Sequence, residues 1–108
     1  MANQLMQSPM TITAAFLPGA ASPNAIPPFS CYVTKIRYTP ASAGNLFQIV
    51  NNAGAVKASG AAGPNDAGET LEQNFKQGEL VLNPVEGWYV QTLGSGDTLT
   101  IYFSTYRA

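Results

Sequence analysis

The chain has 108 residues and a formal net charge of -1, and only 10% of its residues are charged, against about 25% in a typical soluble domain. Its longest apolar run has four residues, at positions 14–17, far short of the roughly 20 that a membrane-spanning helix needs. The few cations are scattered and the balance is slightly acidic, which argues against the basic patch of a nucleic-acid-binding protein.

The polar part of the composition is mainly Asn, Gln, Ser and Thr. Such a surface suits a protein packed beside copies of itself, because like charges on adjacent copies repel and buried unpaired charges are costly. It also leaves a free monomer weakly protected against association. The composition therefore favours a protein that works within an assembly.

The order of elements along the chain predicts an all-β protein. Residues 1–9 lack a packing pattern and an export signal, and are predicted to form an extended N-terminal arm. Eight prolines and ten glycines then interrupt any long helical period. Short strands are predicted instead, at residues 10–17, 29–39, 45–51, 55–60, 69–75, 79–83, 87–93 and 97–105.

Eight short strands with turns between them predict one β-sandwich or jelly-roll domain over residues 10–108, with a small open barrel as the alternative. The stretch 69–75 is also compatible with a helical turn. Asn51-Asn52-Ala53-Gly54 is predicted to form a hairpin, since Asn and Gly accept the backbone conformations of tight turns.

The last two strands flank the sequence Gly94-Ser95-Gly96. Alternation gives the final strand a core face of Leu99, Ile101 and Phe103. If the two strands form a hairpin, a loop with an even number of residues places Trp88 opposite Phe103 and keeps amide side chains out of the core. Tyr89 and Tyr102 then pair on the outer face, which is open to solvent, to a partner or to a ligand.

The residues that usually perform catalysis are scarce. The chain has no histidine and a single cysteine, Cys31, whose apolar neighbours predict a small core residue. Asp66, Glu69 and Glu72 lie in a stretch without the dense oxygen ligands that calcium sites use, so solvated charge is the favoured interpretation. We therefore predict no catalytic residues, no cofactor and no metal, and a protein that is not an enzyme.

Two stretches carry a resemblance. "YVTKIRYTPASAGNLFQIVNNAGAV" (32–56) reads as a strand, a loop of small residues and a strand ending in a hairpin. "GWYVQTLGSGDTLTIYF" (87–103) reads as a strand led by glycine, a turn and a final strand. This order resembles small β-sandwich virion proteins of tailed bacteriophages, particularly capsid decoration (cement) proteins.

The resemblance implies a non-enzymatic structural protein on the exterior of the virion capsid, made in the host cytoplasm. It would bind the outer surface of the head as a homotrimer and bridge neighbouring major capsid proteins, with no nucleic-acid or membrane partner. The residues predicted to contact a partner lie in the N-terminal region and in the two C-terminal strands. They are Leu5, Met6, Met10, Ile12, Phe16, Tyr89 and Tyr102.

Three other readings remain open. Ile12 and Phe16 are equally suited to the protein's own core, in which case Leu5 and Met6 are expected to be disordered. The chain also suits another virion component, such as part of a tail or head fibre. A carbohydrate-binding β-sandwich would instead stack sugars on Trp88 or Tyr89.

Overall fold

The computed structural model describes residues 3–21, 24–76 and 78–105. These residues form eight strands and no helix, so none of them belongs to a helix long enough to cross a membrane. All eight predicted strands are present, mostly shorter than expected. They are β1 (Met10–Ile12), β2 (Cys31–Thr39), β3 (Leu46–Val50), β4 (Val56–Ala61), β5 (Leu71–Asn74), β6 (Val81–Leu82), β7 (Tyr89–Leu93) and β8 (Thr98–Ser104).

The strands form two antiparallel sheets. Sheet A has the order β1-β8-β2-β5, with the short β6 also pairing with β2. Sheet B has the order β4-β3-β7. The stretch around 69–75 is therefore a strand at the border of sheet A, and the helical alternative is wrong.

The two sheets contribute to one hydrophobic core. β8 shows the predicted alternation: Leu99, Ile101 and Phe103 are buried, and the residues between them are partly exposed. Tyr38 of sheet A meets Phe47 of sheet B, with ring centroids 4.8 Å apart. Aromatic pairs at this separation add to the stability that burial provides.

The predicted hairpin between β3 and β4 is confirmed. The Gly54 amide donates to the Asn51 carbonyl at 2.9 Å. The Asn51 side-chain oxygen accepts from the amides of Ala53 and Ala55 at 3.0 and 2.9 Å. Gly54 has a φ of 92°, which a residue with a Cβ rarely adopts.

The predicted hairpin between β7 and β8 is wrong. β7 pairs with β3 in sheet B, whereas β8 pairs with β1 and β2 in sheet A. The turn between them carries the chain from one sheet to the other, so Trp88 does not face Phe103 across a ladder and Tyr89 does not pair with Tyr102. The alternation of side chains still identified the core face of this part of the chain correctly, because both Trp88 and Val90 are buried.

The N-terminal segment differs from the expected arm. Residues 1 and 2 lie outside the described part of the chain, and residues 3–9 lie against sheet A. Gln4 and Thr11 exchange two backbone hydrogen bonds of 2.8 and 2.9 Å, and Leu5 is only 2% exposed. The Ser8 hydroxyl accepts from the Phe103 amide at 3.0 Å. Burial of Leu5 and pairing with β1 together explain why the segment folds back.

Candidate interaction surfaces

The predicted contact residues separate into core and surface. Four of them are buried in the chain's own core: Leu5, Met10, Ile12 and Phe16. Contact between these four side chains and a partner stays a prediction, and it requires the N-terminal segment to leave the core. The other three are accessible: Met6 is 53% exposed, and Tyr89 and Tyr102 are partly exposed.

Phe16 and Tyr89 are brought together beside the free side of β7. The Phe16 amide donates to the Val90 carbonyl at 3.0 Å, so residues near Phe16 run along that strand. A groove of about 270 Å³ lies between the two segments. We call it the Leu17 groove; its lining residues are Ala15, Phe16, Leu17, Pro18, Tyr89 and Gln91.

Leu17 dominates the exposed part of this groove. Leu17 is 76% exposed, so its apolar surface is accessible to a partner. Phe16 is buried and packs edge-on against Trp88, with centroids 5.9 Å apart. The indole nitrogen of Trp88 is buried without a hydrogen-bond partner among the described residues. Sequence reasoning missed Leu17, because adjacent apolar residues in a non-strand segment do not show which one faces outward.

Tyr102 lies on the outer face of sheet A, apart from the Leu17 groove. The Lys35 ammonium lies 5.3 Å from the centre of its ring, within the range of a cation–π contact. Glu72 on β5 lies 3.9 Å from the Lys35 nitrogen and 3.5 Å from Arg37 Nε. Lys35 and Arg37 therefore share one face of sheet A, and one carboxylate partly neutralises both.

A second ion pair lies beside the β3–β4 hairpin. Lys57 Nζ is 3.0 Å from Glu86 Oε1, and the side-chain amide of Asn51 donates to Glu86 Oε2 at 3.3 Å. Hydrogen bonds from Lys57 and then from Asn51 lower the pKa of Glu86 below its ordinary value. Three of the four cations in the described residues (Lys35, Arg37 and Lys57) thus have an acidic neighbour on the same molecule.

Asp97 is a buried carboxylate at the turn between β7 and β8, with 1% exposure. Its oxygens accept from the Tyr38 hydroxyl at 2.6 Å and from the Ala41 amide at 2.7 Å. They also accept from the Asn45 side chain at 2.9 Å and the Gly94 amide at 3.0 Å. The network ties the turn to the segment between β2 and β3, so it holds the crossover between the sheets.

The same contacts set two pKa values. Burial acts to raise the pKa of Asp97, but the donors from Tyr38, Ala41, Asn45 and Gly94 outweigh it and lower the pKa. Burial, and then the hydrogen bond to the Asp97 carboxylate, raise the pKa of Tyr38. Asp97 therefore stays ionised and Tyr38 stays protonated at neutral pH, as a structural network requires.

Cys31 is the small core residue that the sequence predicts. It has 0% exposure, and burial raises the pKa of its thiol to about 12. A protonated, inaccessible thiol is a poor nucleophile. Among residues 3–21, 24–76 and 78–105, no group of three or more His, Cys, Asp or Glu side chains is placed to hold a metal ion.

Comparison of the chain with protein-family models, curated proteins and solved structures finds no match.

Proposed function

We propose that this chain is a capsid decoration protein of a tailed bacteriophage. It binds the outer surface of the assembled head as a homotrimer, bridges neighbouring major capsid proteins and catalyses no reaction. In this proposal the two sheets form a β-sandwich of the jelly-roll type. The family in this proposal comes from the resemblance of residues 32–56 and 87–103. The contact with the shell is proposed to form at the Leu17 groove.

The Leu17 groove is the observation that carries the proposal. It combines an aromatic side chain, Tyr89, with a leucine that is 76% exposed. Moving a leucine side chain from water into an interface contributes about 1.5–3 kcal/mol. Many identical copies, each with such a contact, bind a shell without any charged anchor.

The distribution of charge is consistent with the same role. Lys35, Arg37 and Lys57 are each opposed by a carboxylate of the same molecule. Copies placed side by side on a shell therefore repel one another weakly. Such pairs stabilise the fold little when exposed, so their main effect here is to lower the surface potential.

Binding to undecorated heads tests the proposal. Leu17→Ser is expected to weaken cosedimentation with heads assembled without this chain by about tenfold or more. Val85→Ser is the matched control, because Val85 is 97% exposed and lies outside the groove. Failure of the unaltered protein to bind heads, or equal binding by Leu17→Ser and Val85→Ser, contradicts the proposal.

Deletion of residues 1–9 is a poor test of head binding. It removes the buried Leu5, and it removes Asn3, whose side-chain oxygen accepts from the Thr13 amide at 2.8 Å. Loss of binding after that deletion would follow from unfolding alone. The Leu17 and Val85 variants avoid this difficulty, because both side chains lie on the surface.

A carbohydrate-binding module is the second candidate. It is favoured by one observation, that Tyr89 and Gln91 line the same groove. An aromatic ring that stacks and an amide that donates and accepts are suited to a sugar ring. Glycan binding that Tyr89→Ala abolishes, with no binding to heads, supports this candidate over the first.

A further inference from the structure

β4 has a free side. It pairs with β3, and no strand in the described residues pairs with its other side. The Ala62 amide donates to the Asn45 carbonyl at 2.8 Å, so Ala62 faces β3. Because successive residues of an antiparallel strand direct their backbone groups to opposite sides, Ser59 and Ala61 face away from β3.

One side-chain contact confirms that direction. The Gln73 amide, which reaches over from β5, donates to the Ser59 carbonyl at 2.8 Å. The Ser59 amide points the same way as its carbonyl, and so do both backbone groups of Ala61. Among the described residues, three of these four backbone groups have no hydrogen-bond partner, and the fourth, the Ser59 carbonyl, accepts from the Gln73 side chain.

The free side of β4 lacks the usual protection against pairing. Natural edge strands are guarded by lysine, proline, bulges or covering segments. The stretch 58–61 reads Ala-Ser-Gly-Ala, and the bulge in its pairing with β3 lies before Ala58. Lys57, the only charge on β4, is bound to Glu86 at 3.0 Å.

We propose that two copies of this chain pair through β4, antiparallel about a two-fold axis at Gly60. This register places Ser59 of each copy opposite Ala61 of the other, so the outward amides and carbonyls satisfy one another. The contact is self-complementary, as a two-fold interface requires. The small side chains leave room for the second strand, and the Lys57–Glu86 pair reduces repulsion between the copies.

The pairing joins the two copies of sheet B into one sheet of six strands. Gln73 must release the Ser59 carbonyl when the second strand arrives, and it exchanges one exposed hydrogen bond for several ladder bonds. The contact is separate from the threefold grouping proposed above. Where both exist, the β4 contact links neighbouring trimers.

Sedimentation equilibrium of the full chain, without heads, tests the proposal. The unaltered protein is expected to associate in a concentration-dependent step that doubles the mass of the species. Ser59→Pro removes the outward amide, which an edge strand tolerates, and is expected to raise the dissociation constant of that step by about tenfold or more. Ser59→Ala, the matched control, keeps the amide and is expected to change the constant by less than about twofold.

Circular dichroism and thermal unfolding verify that the variants fold. If Ser59→Pro does not fold, Ala61→Lys serves in its place, because it adds a cation beside the axis in both copies. A mass that does not double with concentration overturns the proposal, and so do equal dissociation constants for the proline and alanine variants. Since no head is present, neither result bears on head binding.

Discussion

β1 and β4 are both outer strands, but only one of them is covered by the chain itself. Residues 3–5 lie along β1, and Gln4 and Thr11 exchange two backbone hydrogen bonds there. On β4 the corresponding side has one hydrogen bond within the described part of the chain, from the Gln73 side chain to the Ser59 carbonyl. Because the outer side of β1 is already paired with the chain's own N-terminal segment, it does not need a partner strand. The outer side of β4 can still pair with one.

The covering of β1 depends on a hydrophobic residue. Leu5 enters the core at 2% exposure, and this burial offsets the entropy lost by ordering an N-terminal segment. The segment beside β4 has no equivalent: Gln73 belongs to β5 and only its side chain crosses to sheet B. The β1 edge thus combines an apolar anchor with backbone hydrogen bonds, whereas the described residues beside β4 provide one side-chain hydrogen bond.

Shortening the Leu5 side chain is expected to have the largest effect on the difference between the β1 and β4 edges. Leu5→Ala should lower the free energy of unfolding by about 2–5 kcal/mol, through lost burial and a cavity. It should also release residues 3–5 and expose the outer side of β1. Met6→Ala is the matched control: its side chain is 53% exposed, and we expect a change of less than about 0.5 kcal/mol.

Urea denaturation of both variants measures the difference. Equal losses of stability in Leu5→Ala and Met6→Ala would show that the N-terminal segment contributes nothing through Leu5. In that case the contrast between the two edges would lose its physical basis.

A smaller effect on the free energy of unfolding is expected at Asp97, in the turn where the chain passes from sheet B to sheet A. Asp97→Asn replaces an acceptor of four hydrogen bonds by an amide that presents donors of its own. We expect a loss of about 1.5–3 kcal/mol in the free energy of unfolding at pH 7, as for hydrogen bonds to a charged group.

The pH dependence of this loss of stability tests whether the ionised Asp97 carboxylate is its cause. Because the pKa of Asp97 is lowered in the folded state, its contribution is complete above the unfolded value of about 3.9 and is lost as the pH falls through the folded value. Urea denaturation between pH 7 and pH 2 should therefore show the unaltered protein converging on Asp97→Asn below about pH 4. A constant difference across that range contradicts a role for the ionised carboxylate.

The smallest effect is expected at the open edge. Gln73→Ala removes one exposed hydrogen bond, which should cost about 0.5–1 kcal/mol of stability. It also frees the Ser59 carbonyl, so self-association should become stronger. Asn74→Ala is the control, since Asn74 lies on the same strand with its side chain exposed.

Thermal unfolding and sedimentation equilibrium follow the two effects separately. Weaker association of Gln73→Ala relative to Asn74→Ala would indicate that Gln73 supports the contact between copies and does not compete with it.

Local patterns in the sequence predicted the strands and the β3–β4 hairpin, but not the pairing of the last two strands. Alternation in residues 97–105 identified Leu99, Ile101 and Phe103 as core, and turn chemistry identified the hairpin after Val50; both are confirmed. The choice between a hairpin and a crossover after β7 depends on Asp97 binding groups more than 50 positions away, at Ala41 and Asn45. The local sequence Gly94-Ser95-Gly96 does not indicate the contacts of Asp97 with Ala41 and Asn45.

The candidate surface was predictable only in part, for a related reason. Phe16 and Tyr89 were both identified, and they meet in the Leu17 groove. Leu5, Met10 and Ile12 are as apolar as the exposed Leu17, and composition cannot separate them. Leu5 is buried because residues 3–5 return alongside β1, whereas Met10 and Ile12 are buried where β1 pairs with β8. Both are tertiary contacts.

Amide hydrogen exchange, measured residue by residue, tests the contrast between the edges most directly. In dilute protein, the Thr11 amide, which donates to the Gln4 carbonyl, should be strongly protected, and the Ser59 amide should exchange almost as fast as in an unfolded chain. Raising the protein concentration should protect Ser59 and leave Thr11 unchanged. A Ser59 amide already as protected as Thr11 at high dilution would contradict the account.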